Sequence, residues 1–562
     1  MYKLKSRSYL FLSAGMIFLF SSCNHKKENS KEASVTVAPK IVNIVNFIRD
    51  IEPRDPNITK GTLYQTVVNQ VNMMRKYHLK GTFLLQYDAL VDKKYQKLLK
   101  DLPKDSIEIG AWWEIPQPMV EEAGLKWRGR YPWDWHADVG FATGYTPKER
   151  EKLVDIYMDK FKAIFGYYPK SVASWFIDAH TLNYMYEKYD IVASANCKDQ
   201  YGTDGYTLWG GYWNQAYYPS KINSYMPAQH AENQIPVPVF RMLGSDPIRQ
   251  YDTGLDTERQ GVISLEPVYP NSGGSKKWVD WYFKEFVKGE PLAFAYVQAG
   301  QENSFIWNQV KEGFQIQLPL IAKLRDAHKV RVETLKESGK WFKKQFKTTP
   351  ATSVTVTEDI KGSDKKTVWF NSKYYRANLL WEQNTLRIRD IHLFDEKMKS
   401  PYYDKVLTSN QASFFTLPVV DGYLWSTPEE LAGLKLYYMK DDKKVLVEGG
   451  TPKVVSKKEG ELQIEWPLTS LKGDLLVTMN EKTMQIQLNS SEKMEWFLDL
   501  TAPKKDKLPF IDIAENKIVC EFLGENYSIN ALHGSFSTSS ENSVFRFTPK
   551  ENNMLIDFSI RN

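Results

Sequence analysis

From residue 41 to about residue 347, short apolar runs alternate with stretches whose apolar residues recur every three or four positions, the pattern of strands followed by helices. The runs at 41–48, 82–86, 106–111, 171–177, 191–195, 261–265, 292–298 and 330–334 are the predicted strands. They supply seven or eight parallel staves, so the predicted fold class is a distorted α/β barrel followed by an all-β sandwich-type domain. The intervening helices carry their own boundaries. Thr146-Pro147-Lys148-Glu149 is a capping box with proline at the first helical position, and Gly166 ends the helix after an apolar stripe of Leu153, Ile156, Tyr157, Phe161 and Ile164. Leu63, Val67, Val71 and Met74 form a similar stripe after Lys60-Gly61.

Between residues 196 and 250 the periodicity disappears and Gly, Pro, Trp and Tyr accumulate, which reads as a long, ordered, functional loop. After Thr348-Thr349-Pro350 the texture becomes one of period-two alternation, as in Glu461-Leu-Gln-Ile-Glu-Trp466, expected of antiparallel strands with one wet face. The predicted domains are therefore a barrel over 41–347 and the all-β part over 348–562. Within the latter, the charges of Arg387-Ile-Arg-Asp-Ile-His-Leu-Phe-Asp395 read as the solvated face of an ordinary strand and turn.

The first forty residues follow a different rule. Lys3, Lys5 and Arg7 precede an apolar run over 9–20 that is short for a membrane span, and Ser21-Ser22-Cys23 follows. This resembles a bacterial lipoprotein signal over 1–22 with lipidation at Cys23 and a flexible tether over 23–40, implying a cell-envelope protein whose membrane partner is a lipid anchor alone. Three of the six net positive charges lie in that signal; the remaining +3 is too weak to suggest nucleic acid. Cys197 and Cys520 are far apart and read as buried thiols, and no Cys/His spacing resembles a zinc site.

In a parallel barrel the reactive groups come from the C-terminal ends of the strands. Here nearly every predicted strand ends in a carboxylate: Asp50 and Glu52, Asp88, Glu114, Asp178, Asp199, Glu266 and Glu302. Trp112, Trp113, Trp127, Trp133, Trp135, Trp175, Trp209 and Trp213 lie at or just after those ends, where flat rings can stack on sugars. Paired carboxylates among indoles are what glycosidic cleavage requires, one to protonate the leaving oxygen and one to attack or to activate water. Glu302, in the polar strand exit Gln298-Ala-Gly-Gln-Glu-Asn-Ser304, is the first choice of acid, ahead of Glu266, Glu114 and Asp204. Asp50, Glu52, Trp112, Trp113, Glu114, His180, Asp204, Trp209, Glu266 and Gln298 are the expected substrate-binding residues.

Lys80-Gly-Thr-Phe-Leu-Leu85, Ile107-Glu-Ile-Gly110 and Val330-Arg-Val-Glu-Thr-Leu335 resemble the second, third and last strands of the superfamily of polysaccharide deacetylases and glycoside hydrolases built on an irregular seven-stranded barrel. The resemblance covers most of 41–347. The deacetylases hold a divalent metal with an aspartate and two histidines, but Trp112 and Pro116 stand where the histidines belong. Ser174-Trp-Phe-Ile-Asp-Ala-His180 is similar to the segment carrying the catalytic carboxylate of retaining α-mannosidases and α-glucan-active hydrolases, which implies Asp178 as nucleophile. Their zinc is held partly by a histidine-aspartate pair, replaced here by Arg49-Asp50. His180 is expected to orient a carboxylate or a sugar hydroxyl.

The expectation is a glycoside hydrolase acting on a carbohydrate substrate, with Asp178 and Glu302 catalytic and without metal or cofactor. The alternatives are a carbohydrate-binding lipoprotein that has lost catalysis and a divergent deacetylase or esterase. The sugar, the linkage and the oligomeric state are left open by the sequence.

Overall fold

A computed structural model of the chain describes residues 38–538 and 543–559; the signal-like segment, Cys23 and nearly all of the tether lie outside the described residues. The barrel sheet is built around Lys40–Ile48, a strand buried along almost its whole length. It pairs in parallel with Ala295–Ala299 on one side and with Arg331–Glu333 and Gly81–Leu85 in succession on the other. Parallel pairing continues through Ile107–Trp112, Ser171–Ala173, Ala193–Asn196 and Val239–Arg241, giving a nearly closed barrel. Strands covered on both faces read as continuous apolar runs, which is why most were legible.

Two of the predicted strands differ. Residues 261–265 form no stave; they run back along the segment that follows Val239–Arg241, with Leu265 N donating to Leu243 O and Asp246 N to Ile263 O. The stave itself is Val239–Arg241, only three residues long and preceded by Pro238, too short for periodicity to resolve. The run at 171–177 stops being a strand at Ala173, because Asp178 begins a helix five residues later.

The helices start where their caps predict. Thr146 and Glu149 close a reciprocal capping box on Pro147–Phe165, and Gly166 ends that helix in the left-handed region at φ 83°. Similar boxes at Thr59 and Thr334 open Lys60–Lys76 and Leu335–Gln345.

From Thr352 onward the chain forms antiparallel sheets of ten and eight strands. One strand departs from that rule: Ala412–Phe415 pairs in parallel with Tyr206–Trp209, so the β region inserts a strand into the long loop of the barrel region. The main apolar cluster runs from the barrel into the β sheets.

The charges of 387–395 are not a solvated face. Arg387, Arg389, Asp390 and His392 are buried, and their partners come both from residues 247–252 and from neighbouring β-region strands and turns. Arg389 Nη1 donates to Asp252 Oδ2 at 2.9 Å and to Ile248 O at 2.8 Å, and Asp390 receives two bonds from Arg376. A buried guanidinium is tolerated only when such partners satisfy it, and these are distant in sequence. Cys197 and Cys520 are free and buried, as expected.

Candidate active site

A cavity of about 480 Å³ opens at the C-terminal ends of the barrel strands, lined by Arg49, Arg54, Glu114, Asp204, Glu266 and Glu302 among its polar groups and by Trp133, Trp135, Phe141, Trp175 and Tyr206 among its rings. That volume suits a small-molecule site. Its floor is an ion cluster around Arg49, which is buried to 1% exposure. Arg49 Nε and Nη2 donate to the two oxygens of Glu114 at 2.8 and 2.7 Å. Its remaining nitrogen, Nη1, pairs with Glu302 and reaches Ser304 Oγ at 3.2 Å. Trp133 covers the guanidinium face at 4.3 Å.

The local chain explains this convergence. Gly300 ends the Ala295–Ala299 strand at φ 107°, and a Cβ there would lie 2.1 Å from the Val45 carbonyl oxygen, so only glycine permits the turn. Three residues on, Asn303 accepts from Arg49 N at 2.9 Å and donates to Arg49 O at 2.8 Å. The exits of the first and seventh staves are thereby locked together, with Glu302 facing Arg49.

Glu302 and Glu266 differ from Glu114 in having an oxygen to spare. Glu302 bonds Arg49 through Oε2 alone, and Glu266 receives the Ser264 hydroxyl on Oε2 at 2.7 Å. Burial pushes the Glu302 carboxyl above the ordinary glutamate value, outweighing the Arg49 and Arg54 guanidiniums. Burial likewise raises Glu266, against the pull of Lys198. The Tyr269 phenol lies in the field of both carboxylates and is pushed up by burial and by their charge. Such groups can carry a proton to a reacting atom.

The structure brings seven of the sequence-derived residues to the cavity: the carboxylates Glu114, Asp204, Glu266 and Glu302 and the rings of Trp133, Trp135 and Trp175. The others are placed elsewhere. Asp178 is fully buried as the N-cap of Ala179–Tyr189: Oδ1 accepts from Thr181 N at 2.9 Å and from Arg150 Nη1 at 3.0 Å, and Oδ2 accepts from Thr181 Oγ1 at 2.6 Å. No oxygen is left for a substrate, and Asp178 does not line the cavity. His180, on the same helix, bonds Glu151 at 3.0 Å. Asp50 is tied to Lys60 and Glu52 to Arg54. Trp112 stacks on Phe47 beneath the floor, with centroids 3.9 Å apart, and Trp113 lies in the core against Tyr157. Trp209 donates to Asp421 at 2.8 Å where the loop meets the β region, and Gln298 is buried within its strand.

Arg54, Tyr206, Arg259 and Tyr269 are further lining residues of the cavity. Arg54 carried a signal in its spacing from Glu52; the rest sit in aperiodic chain that gives none. Among the described residues no group of three or more His, Cys, Asp and Glu side chains is arranged to hold a metal ion.

Residues 133–376 match the model of a domain of unknown function with a solved structure, DUF3863. That stretch runs from Trp133, over Arg49, to Arg376. No curated protein matches the chain. Among solved structures, a candidate glycoside hydrolase/deacetylase from Parabacteroides distasonis is 16% identical, with a TM-score of 0.52 over 73% of this chain and 95% of that one. A candidate polysaccharide deacetylase from Mycobacterium smegmatis is 9% identical over 55% and 92%, at a TM-score of 0.35. The 4-alpha-glucanotransferase of Thermococcus litoralis is 9% identical over 94% and 100%, at 0.29. The parallel barrel and the Parabacteroides likeness together show that the chain shares the fold of that candidate glycoside hydrolase/deacetylase.

Proposed function

We propose that the chain is a glycoside hydrolase acting on a glycan held in the barrel-mouth cavity, with Glu302 as the acid and Glu266 as the second carboxylate. One observation carries this reading: the cluster sets two guanidiniums, the buried Arg49 and the partly exposed Arg54, against three buried carboxylates, Glu52, Glu114 and Glu302. Fully ionised, it holds one surplus negative charge in a place that disfavours charge, and a proton on Glu302 removes it. Glu302 is the member with a free oxygen, from which that proton can pass to a leaving glycosidic oxygen. Glu266, raised by burial with Lys198 pulling the other way, then acts in its ionised form on the anomeric carbon directly or through a water.

The reaction is read as metal-independent because the position between Glu114 and Glu302, where a divalent cation would find its carboxylates, is filled by the Arg49 guanidinium. The N-terminal motif supports export and a lipid anchor at Cys23; palmitate labelling that survives Cys23→Ser removes that part of the proposal.

The test is turnover of a panel of aryl glycosides and oligosaccharides, followed by release of new reducing ends. Glu302→Gln and Glu266→Gln should each lower turnover of the oligosaccharides, whose leaving oxygen needs a proton, by roughly 10²-fold or more in a protein that keeps its fold. Full turnover in Glu302→Gln overturns the assignment. Binding heat without new reducing ends indicates a carbohydrate-binding protein, and chelator-sensitive acetate release a deacetylase.

A further inference from the structure

We infer that the open cleft where the β region meets the barrel mouth holds the continuation of a neutral glycan whose end occupies the inner cavity; this rests on the glycosidase reading above. The cleft measures about 1200 Å³, more than twice the inner cavity's roughly 480 Å³. The two share Arg54, Trp135, Asp204 and Arg259, so they are continuous across that rim. The inner cavity ends on the Arg49 cluster, above the Trp112–Phe47 stack. A chain whose terminal unit enters it must therefore leave by the rim and run along the outer cleft.

The walls of the cleft have the chemistry for that occupant. On the barrel side the Tyr131 and Trp135 rings lie parallel, 5.9 Å apart at 11°, with Tyr131 41% exposed. The exposed Tyr131 ring and the half-buried Trp135 ring offer flat apolar surface, which matches the C–H faces of pyranose rings. Phe415 and Leu424 of the β region line the same cleft. Phe415 is held there by its strand, which pairs with Tyr206–Trp209 and sets Phe415 opposite Trp209.

Charge selects among glycans. Arg259 is paired with Asp204 at 3.4 Å and Lys504 with Asp256 at 2.7 Å, while Arg54 is held by Glu52. Lys507 and Glu258, of opposite sign, are left over. A cleft with no excess of either sign fits an uncharged chain rather than a uronic-acid or sulfated polymer. The β region is in this reading part of the substrate site.

The experiment uses the full chain and one substrate series: a p-nitrophenyl monoglycoside and the oligosaccharides of the same sugar from two to six units. The expected result is a kcat/KM that rises about ten-fold or more with length. Tyr131→Ala and Phe415→Ala, one from the barrel region and one from the β region, should each lower kcat/KM for the hexamer about ten-fold, chiefly through KM. The aryl monoglycoside, which reaches only the inner cavity, reports whether the inner site is intact and should change less than two-fold. A flat length profile, or equal losses on both substrates, overturns the inference while leaving the glycosidase reading standing. Absence of turnover on every member of the series overturns both. Phe415→Leu, which keeps the apolar contact beneath, separates loss of the ring from loss of fold.

Discussion

Arg49 and Glu114 form a two-pronged ion pair in the floor of the cavity, Nε to Oε2 at 2.8 Å and Nη2 to Oε1 at 2.7 Å, both side chains within 1% of full burial. Gln86 Nε2 adds a third bond to Glu114 Oε2 at 2.8 Å. Glu114 is therefore saturated and serves to fix the guanidinium. Arg49→Met should leave it buried without its counter-charge, at a cost of about 3–5 kcal/mol in urea unfolding. Adding Glu114→Gln should recover part of that loss, since the orphaned charge is gone. Arg49→Lys should not rescue, because an ammonium cannot span two carboxylates with a planar fork.

Glu302→Gln separates chemistry from stability. Loss of a positioned acid should lower turnover by roughly 10²–10⁴-fold. The stability effect has the opposite sign. Because burial raises the Glu302 carboxyl, the folded protein keeps that proton at pH values where the unfolded chain has lost it. Stability from this group is present below the ordinary glutamate value and is lost as pH rises through the folded value. The amide carries no such charge, so the variant's Tm should gain on the parent's as pH rises from 4 to 8. A constant difference across that range would mean that Glu302 is not raised.

Asp88 gives a pH signature independent of catalysis. It is buried, accepts Asp50 N at 2.9 Å and Ala89 N at 2.7 Å, and burial pushes its carboxyl up to about 7. Stability from its protonated form is present below the ordinary aspartate value near 3.8 and is lost as pH rises through about 7. The shift corresponds to at most about 4 kcal/mol. Asp88→Asn, which can still accept from the Asp50 amide, should flatten the stability profile between pH 4 and 7. Parallel profiles for the two proteins would refute the shift.

What the sequence made legible follows from range. Capping boxes at Thr146 and the apolar staves are local, and they appear where the pattern puts them. Glu302 was reachable because the end of a barrel strand is itself a local landmark, whereas Glu266 follows the run 261–265, which forms no stave. Tyr206, Arg259 and Tyr269 enter the cavity from aperiodic chain, so nothing local marks them. Arg389 and Asp390 looked like surface charges because their partners, Asp252 and Arg376, stand 137 and 14 residues away. Trp209 had the composition of a sugar platform, yet its ring went to Asp421 and Tyr423 in the β region.

Asp178 is where local and borrowed reasoning part. Its segment resembles one that carries a catalytic carboxylate, but Asp178 and Thr181 also have the spacing of a helix N-cap, and the structure uses them that way. Arg150, wholly buried, depends on the same carboxylate, alongside carbonyls of Tyr402 and Lys405 at 2.7 and 2.9 Å. Asp178→Asn should retain the cap, because asparagine accepts from the Thr181 amide, and lose only the counter-charge of Arg150. Its cost should therefore be mainly electrostatic, up to about 3–5 kcal/mol. Asp178→Ala should cost about 1 kcal/mol more, the value of the cap. In both, turnover per folded molecule should stay within two-fold of the parent, measured below the unfolding transition. A variant with the parent's Tm and no turnover would return Asp178 to the reaction and displace Glu266 from the pair.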